Sequence, residues 1–131
     1  MKRTPVNPWE WSKQYQFNQA ELVEGVSRQL LCAGQTSIGA DGKVQHPNEL
    51  RPQVVAALDN LETVLKAANM GLGNVVRLTV YTTDVDEMLA NWDALAGRLA
   101  AANVAPAQTL LGVARLAFPE LKVEIEATAA A

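Results

Sequence analysis

Glu124 and Glu126 stand two residues apart in "KVEIEATAA", a spacing that puts both carboxylates on one side of an extended strand. Such a pair can do acid–base work when its surroundings separate the two pKa values. Solvated alternating glutamates do none, and spacing alone leaves both readings open. A second polar residue stands out upstream. In "APAQTLLGVARL", Gln108 follows Pro106 by two positions, where an apolar run begins. Its amide can donate and accept hydrogen bonds but carries no charge.

The other reactive residue types are sparse. His46 is the only histidine, in the loop "KVQHPNEL", with no cysteine or carboxylate at metal-ligand spacing; no metal site is expected. A "GxSxG" nucleophile elbow is absent. Cys32, the single cysteine, excludes an internal disulfide, fits a reducing compartment and reads as a small buried hydrophobe. The glycines of "GLGNVV" follow a helix and precede a strand, the reverse of a dinucleotide-binding fingerprint.

The elements that must position these residues show in the periodicity. Val54, Leu58, Leu61, Leu65 and Ala68 follow helical spacing, with Pro52 in the first turn and Gly71 and Gly73 as the expected stop. Val85, Met88, Trp92, Leu95, Leu99 and Ala102 form a second stripe, with Asp84 as N-cap and Glu87 three residues on. Strands are expected in "AELVEG" and "RQLLCAGQTSIG", as a hairpin followed by an "ADGK" turn. "NVVRLTVYTTD" alternates, with Val76, Leu78 and Val80 opposite Arg77, Thr79 and Tyr81. "AQTLLGVARL" and "KVEIEATAA" complete the set, the latter with Val123, Ile125 and Ala127 on its apolar side.

The order β-β-α-β-α-β-β predicts an α+β fold with both helices on one face of a single sheet. The other face would carry Glu124, Thr79 and Tyr81 among apolar neighbours such as Leu110. A mixed face of that kind suits packing on another subunit. Four of the seven aromatics (Trp9, Trp11, Tyr15, Phe17) crowd an N-terminal arm, residues 1–19, that should pack down and partly roof a pocket.

At 131 residues the chain suits one domain, 1–131. Its net charge of −3, without a basic stripe, argues against a nucleic-acid partner. No apolar run approaches membrane-spanning length, so a cytoplasmic protein with no membrane partner is expected.

Taken together, "CAGQTSIGADGKV", "ALDNLETVLKAANMGLGNVVRLTVYTTDV", "APAQTLLGVARL" and "VEIEATA" resemble the reactive intermediate deaminase family, RidA/YjgF, over about residues 20 to 130. The resemblance implies a chorismate-mutase-like fold in a trimeric barrel assembly, a homotrimer with small-molecule pockets at the subunit interfaces. It also implies cofactor-free hydrolysis of reactive enamines and imines to carbonyl compounds and ammonia. In typical members an arginine follows the "PA" of the penultimate strand and clamps the substrate carboxylate, because guanidinium offers two parallel donors and a permanent charge.

Gln108 holds that position here. A hydrogen bond to a charged group is worth roughly 1.5–3 kcal/mol against about 1 for a neutral pair, so the change should weaken carboxylate binding about tenfold or more. Phe17 matches a tyrosine and Leu110 a cysteine of the typical pocket; its helix asparagine corresponds to Asn91 or, with a different gap, to Trp92. Gly34 and Glu124 remain. Arg77 or Arg115 could supply charge from elsewhere; in a regular strand Arg115 would face away from Gln108, which leaves Arg77.

Three functions follow from these residues. An imine deaminase of altered substrate would use Glu124 to position water, Gln108 to hydrogen-bond the substrate and Gly34 for backbone contact. A non-catalytic binder would use the same pocket, now lined by Phe17, Leu110 and the Asn91–Trp92 pair. A ribonuclease role, a label some relatives carry, is disfavoured by the acidic balance.

Overall fold

The apolar stripes assemble as two layers. The computed structural model describes residues 1–131, with strands β1 (Lys2–Val6), β2 (Ala20–Glu24), β3 (Gln29–Gln35), β4 (Val75–Thr82), β5 (Ala107–Gly112) and β6 (Val123–Ala130). Helix α1 spans Leu50–Ala67, α2 Val85–Ala90 and α3 Trp92–Ala101. A four-stranded sheet runs β3-β6-β4-β5, with β4 and β5 parallel and the other pairs antiparallel. The fold is α+β, as expected, with the helical layer on one face of this sheet.

Between the layers lies the core. From α1 come Val54, Leu58, Leu61 and Leu65, all fully buried. Each contributes roughly 1.5–3 kcal/mol by leaving water. Met88, Leu95 and Leu99 meet them from α2 and α3, and Leu78, Val80, Val123 and Ile125 from the sheet. No helix is long and apolar enough to cross a membrane.

Local chemistry revises several expected details. Both long helices end on asparagine rather than glycine: Asn69 and Asn103 adopt φ of 57° and 53°, and Met70 and Val104 N–H groups close back on the Leu65 and Leu99 carbonyls. Gly71, the expected stop, is extended. The second helix is broken at Asn91, whose side chain donates to the Glu87 carbonyl at 2.9 Å and competes with the backbone ladder. Asp84 does cap α2, accepting from the Glu87 N–H at 3.0 Å, but Glu87 sends its own carboxylate to Lys122. In β4 a register shift between Val75 and Arg77 gives Val75 the core position expected of Val76.

The expected β2–β3 hairpin does not form. Gly25, at φ 67°, ends β2 and lets the chain leave it. β2 pairs instead with β1, a strand the sequence pattern had not revealed. β3 joins the main sheet against β6, where Cys32 sits opposite Ala127 above the core. Arg3 holds the β1–β2 ribbon to the body: it grips Glu21 with two nitrogens at 2.8 Å and donates to the Gly73 and Val75 carbonyls.

Candidate functional site

The segment between β1 and β2 forms one wall of a cavity. A 3-10 turn over Trp11–Tyr15 lays its aromatics together, with the Trp11 ring edge-on to Phe17 at 5.7 Å and to Tyr15 at 6.4 Å. Gln16 then takes φ 63° and reverses the chain. Hydrogen bonds fasten this wall to α3 and to the loop between α3 and β5. The Trp92 Nε1 donates to the Tyr15 carbonyl at 2.9 Å, Gln16 Nε2 to the Val104 carbonyl at 3.1 Å, and the Asn18 N–H to Ala105 at 3.1 Å.

Against that wall lies an open cavity of about 210 Å³, lined by Trp11, Tyr15, Phe17, Leu89, Trp92, Gln108 and Leu110, of which Trp11, Tyr15 and Leu89 stay exposed. None of these side chains is charged. Gln108 is the one amide among them. Its Nε2 donates to the Gln16 carbonyl at a long 3.4 Å, and its Oε1 is buried with no hydrogen-bond partner.

Glu124 lies elsewhere. Its strand neighbour across β4 is Tyr81, on the face that the helices leave open. Gly34 passes so close that an added Cβ would sit 2.6 Å from the Glu124 Cδ, so glycine there makes the space the carboxyl occupies. Burial, and behind it the charge of Glu126, holds the Glu124 carboxyl above its usual range. Glu126 is differently engaged: it accepts from the Tyr81 hydroxyl at 2.7 Å, and that bond chiefly, with burial, raises the Tyr81 phenol. The open face also holds a groove of about 480 Å³ between Arg77, Tyr81, Glu126 and the exposed Leu111 and Leu31.

The expected site residues therefore fall into two groups. Phe17, Trp92, Gln108 and Leu110 meet at the cavity, while Gly34 and Glu124 meet on the open face. Gln108 is level with Leu78 and Ala127, three residues along from Tyr81 and Glu124 and two strands across from β6. Strand spacing and rise place their Cα atoms roughly 14 Å apart, on opposite faces. One chain cannot bring both side chains to one atom.

Four expectations change. Leu110 pairs with Val80 and faces the helical side; Leu111, beside Tyr81, takes the open face instead. The choice between Asn91 and Trp92 falls to Trp92 at the cavity, because Asn91 spends its side chain on the Glu87 carbonyl and on Arg51. Arg77 donates to Thr109 on the open face and so cannot replace the missing charge beside Gln108. Arg115 lies beyond the end of β5, so strand alternation does not govern it. The aromatic crowding near the N-terminus was the signal for Trp11 and Tyr15, whereas nothing in the spacing marked Leu89.

The family model described as Endoribonuclease L-PSP matches residues 13–131. The 2-iminobutanoate/2-iminopropanoate deaminase of Escherichia coli is 30% identical over 113 residues, 82% of this chain and 84% of that one. Protein mmf2, mitochondrial, of Schizosaccharomyces pombe is 27% identical over 132 residues, 99% of each chain. A crystal structure from Yersinia pestis, described as YyfB of the conserved Rid protein family and of unknown function, matches with a TM-score of 0.87 at 34% identity over 100% of both chains. The chain belongs to the Rid (RidA/YjgF) family.

Proposed function

We propose that the protein hydrolyses reactive imines or enamines that lack a carboxylate beside the reacting carbon. The observation that carries this reading is the pairing of a cleared, half-buried Glu124 carboxyl with an uncharged cavity at Gln108. Because the two lie on opposite faces of one sheet, the working site forms between copies, in a homotrimer like those the family resemblance implies. Glu124 of one copy then approaches the Gln108 cavity of the next.

In the reaction, Glu124 takes a proton from water as its oxygen adds to the imine carbon. Glu124 returns that proton to the nitrogen to complete the carbinolamine, then carries the hydroxyl proton to the same nitrogen as the C–N bond breaks and C=O forms, so that a carbonyl compound and ammonia leave. Water is the only co-reactant. The 30%-identical relative named as an iminobutanoate/iminopropanoate deaminase supports this chemistry. The missing guanidinium argues for a different substrate, since neither Arg77 nor Arg115 lines the cavity.

Imines made in situ test the reading. An amine oxidase supplies imines without a carboxylate and an amino-acid oxidase supplies 2-imino acids. Ammonia release above the spontaneous rate should be larger for the first set in wild type, and Gln108→Arg should shift it toward the second. If wild type accelerates neither, a non-catalytic metabolite-binding trimer becomes the better reading. The apolar, aromatic lining of the same cavity favours that alternative.

A further inference from the structure

The aromatic wall of the cavity is left half in water. Trp11 keeps 54% of its surface exposed, Leu89 50% and Tyr15 41%, where apolar side chains ordinarily gain by burial. Four of the seven lining residues are aromatic: Trp11, Tyr15, Phe17 and Trp92. The rings that touch do not stack. Trp11 stands at 69° to Tyr15 and at 79° to Phe17, with centroids 6.4 and 5.7 Å apart. A stacked pair covers one face of each ring, whereas an edge-on pair covers a single face between the two. This corner therefore leaves more ring face uncovered by its own neighbours, and the face is the negative side of an aromatic quadrupole.

Charge around the cavity has the sign that a cation needs. No lysine, arginine or histidine lines it. Two nearby cations are already paired, Lys13 with Glu10, next to Trp11 in the chain, and Arg51 with Asp93, next to Trp92. On α2, Lys122 is taken by Glu87, while Asp86, one turn before Leu89, is exposed and in no ion pair. Trp92 Nε1 and Gln108 Nε2 donate to the Tyr15 and Gln16 carbonyls, so neither waits for an anion. In the assembly proposed above, Glu124 of the neighbouring copy adds a carboxylate at the mouth.

We infer that this cavity holds a methylated ammonium group of the substrate among Trp11, Tyr15 and Trp92, with the imine carbon at the mouth, toward Glu124 of the neighbouring copy. Cation–π attraction is strongest for tryptophan and acts within about 6 Å of the ring centroid. A primary ammonium is the wrong head. Its N–H groups are strongly hydrated and require acceptors, and no carboxylate of the same copy lines the cavity. Methyl groups replace those donors and spread the charge over a surface that packs on rings. A cavity of roughly 150 Å³ takes a benzene-sized group, so about 210 Å³, open on one side, takes a trimethylammonium head with its stem leading out. The wall is also held in place before any ligand arrives, since Trp92 is tied to the Tyr15 carbonyl and Gln16 to Val104. Pre-ordering of this kind lowers the entropic cost of binding. The inference rests on the imine-processing reading only in where it places the reacting carbon, and it names the substrate class of that site, carboxylate-free imines that carry a methylated ammonium.

Calorimetric titration of the intact protein with choline, ethanolamine and dimethylbutanol tests it, the last being choline with carbon in place of its nitrogen. Choline should bind wild type about tenfold more tightly than either of the others. Trp11→Leu, at an exposed position, should bring choline affinity to within about twofold of the alcohol's. Four results would overturn the inference: dimethylbutanol binding as tightly as choline, ethanolamine doing so, no binding of choline, or choline binding undiminished by Trp11→Leu. The first three need no variant to fold. Turnover of carboxylate-free imines without choline binding breaks this inference and leaves the imine-processing reading standing. Choline binding with no imine turned over does the reverse.

Discussion

The cavity under the N-terminal arm and the open face of the sheet are built on opposite physical terms. The cavity is neutral, aromatic and held by hydrogen bonds to main-chain carbonyls. The open face is polar and titratable, with Glu124, Glu126, Tyr81 and Arg77 among exposed leucines; Leu31 keeps 74% of its surface in water. One region can recognise a shape but cannot move a proton. The other can move a proton and offers a wider, polar groove of about 480 Å³. In the proposed reading the two regions meet between copies of the chain, and the division separates what each mutation should do.

The sharpest test removes the chemistry and keeps the shape. Glu124→Gln should lower ammonia release by about 10²–10⁴-fold, the usual contribution of a positioned acid or base. Calorimetric binding of dimethylbutanol, the uncharged probe, should stay within about twofold. Loss of both together would mean that the two regions are not separable.

The converse test loosens the shape. Arg3 has 21% of its side chain exposed and Glu21 only 4%, so Arg3→Ala leaves a buried carboxylate without its partner. Breaking such a pair costs about 3–5 kcal/mol, and partial exposure puts this one near the low end. Urea denaturation should show that loss, and amide exchange should quicken across residues 2–24. The β1–β2 ribbon is the anchor of the aromatic wall, so probe binding should fall with it.

These two regions differ equally in how far the sequence exposes them. Helix α1 and the α2–α3 stripe are legible because burial on one side imposes a 3.6-residue period, and β6 because Val123, Ile125 and Ala127 alternate with charged residues. Gly34 and Glu124 could be named from the family motifs, yet their contact depends on β3 lying beside β6, a pairing between distant segments. Alternation alone offers Leu110 two faces, and only the register of β5 against β4, which sets it beside Val80, says which is which. β1 carries no such pattern: "KRTPV" is short, charged and contains Pro5, and it is a strand through its pairing with β2, with Arg3 pinning the ribbon to two carbonyls of the body. The break at Asn91 escaped for a related reason, since the apolar stripe continues through it and only a side-chain bond to Glu87 interrupts the ladder.

A smaller perturbation addresses the open face alone. Gly34→Ala places a methyl 2.6 Å from the Glu124 Cδ. The clash is with the end of a flexible side chain, so the carboxyl moves and the fold survives, with stability changed by less than about 1 kcal/mol. Turnover should fall about tenfold, because displacement of a positioned catalytic group by an ångström is enough to cost that much or more. Gly71→Ala, where an added Cβ meets open space, serves as the control and should leave turnover unchanged.

The smallest expected effect is the most specific to Glu124. Its folded-state pKa is raised, first by burial and then by Glu126, so the native protein binds this proton more tightly than the unfolded chain does. Stability from this group is therefore greatest below the unfolded carboxylate pKa, and it is lost as pH rises through the folded value. At neutral pH the carboxylate is ionised against a cost that glutamine does not incur. Glu124→Gln should then melt slightly above wild type at pH 7, by on the order of 1–2 °C because solvent screens a half-exposed group, and the gap should close as pH falls below 4.5. The same raised pKa places the acid limb of the turnover profile above the ordinary carboxylate range, since the water-activating form is the ionised one. Gln108→Leu should leave both curves where they are, for it alters the cavity and not the proton. A Gln108 variant that moved the acid limb would join the two regions into one electrostatic unit.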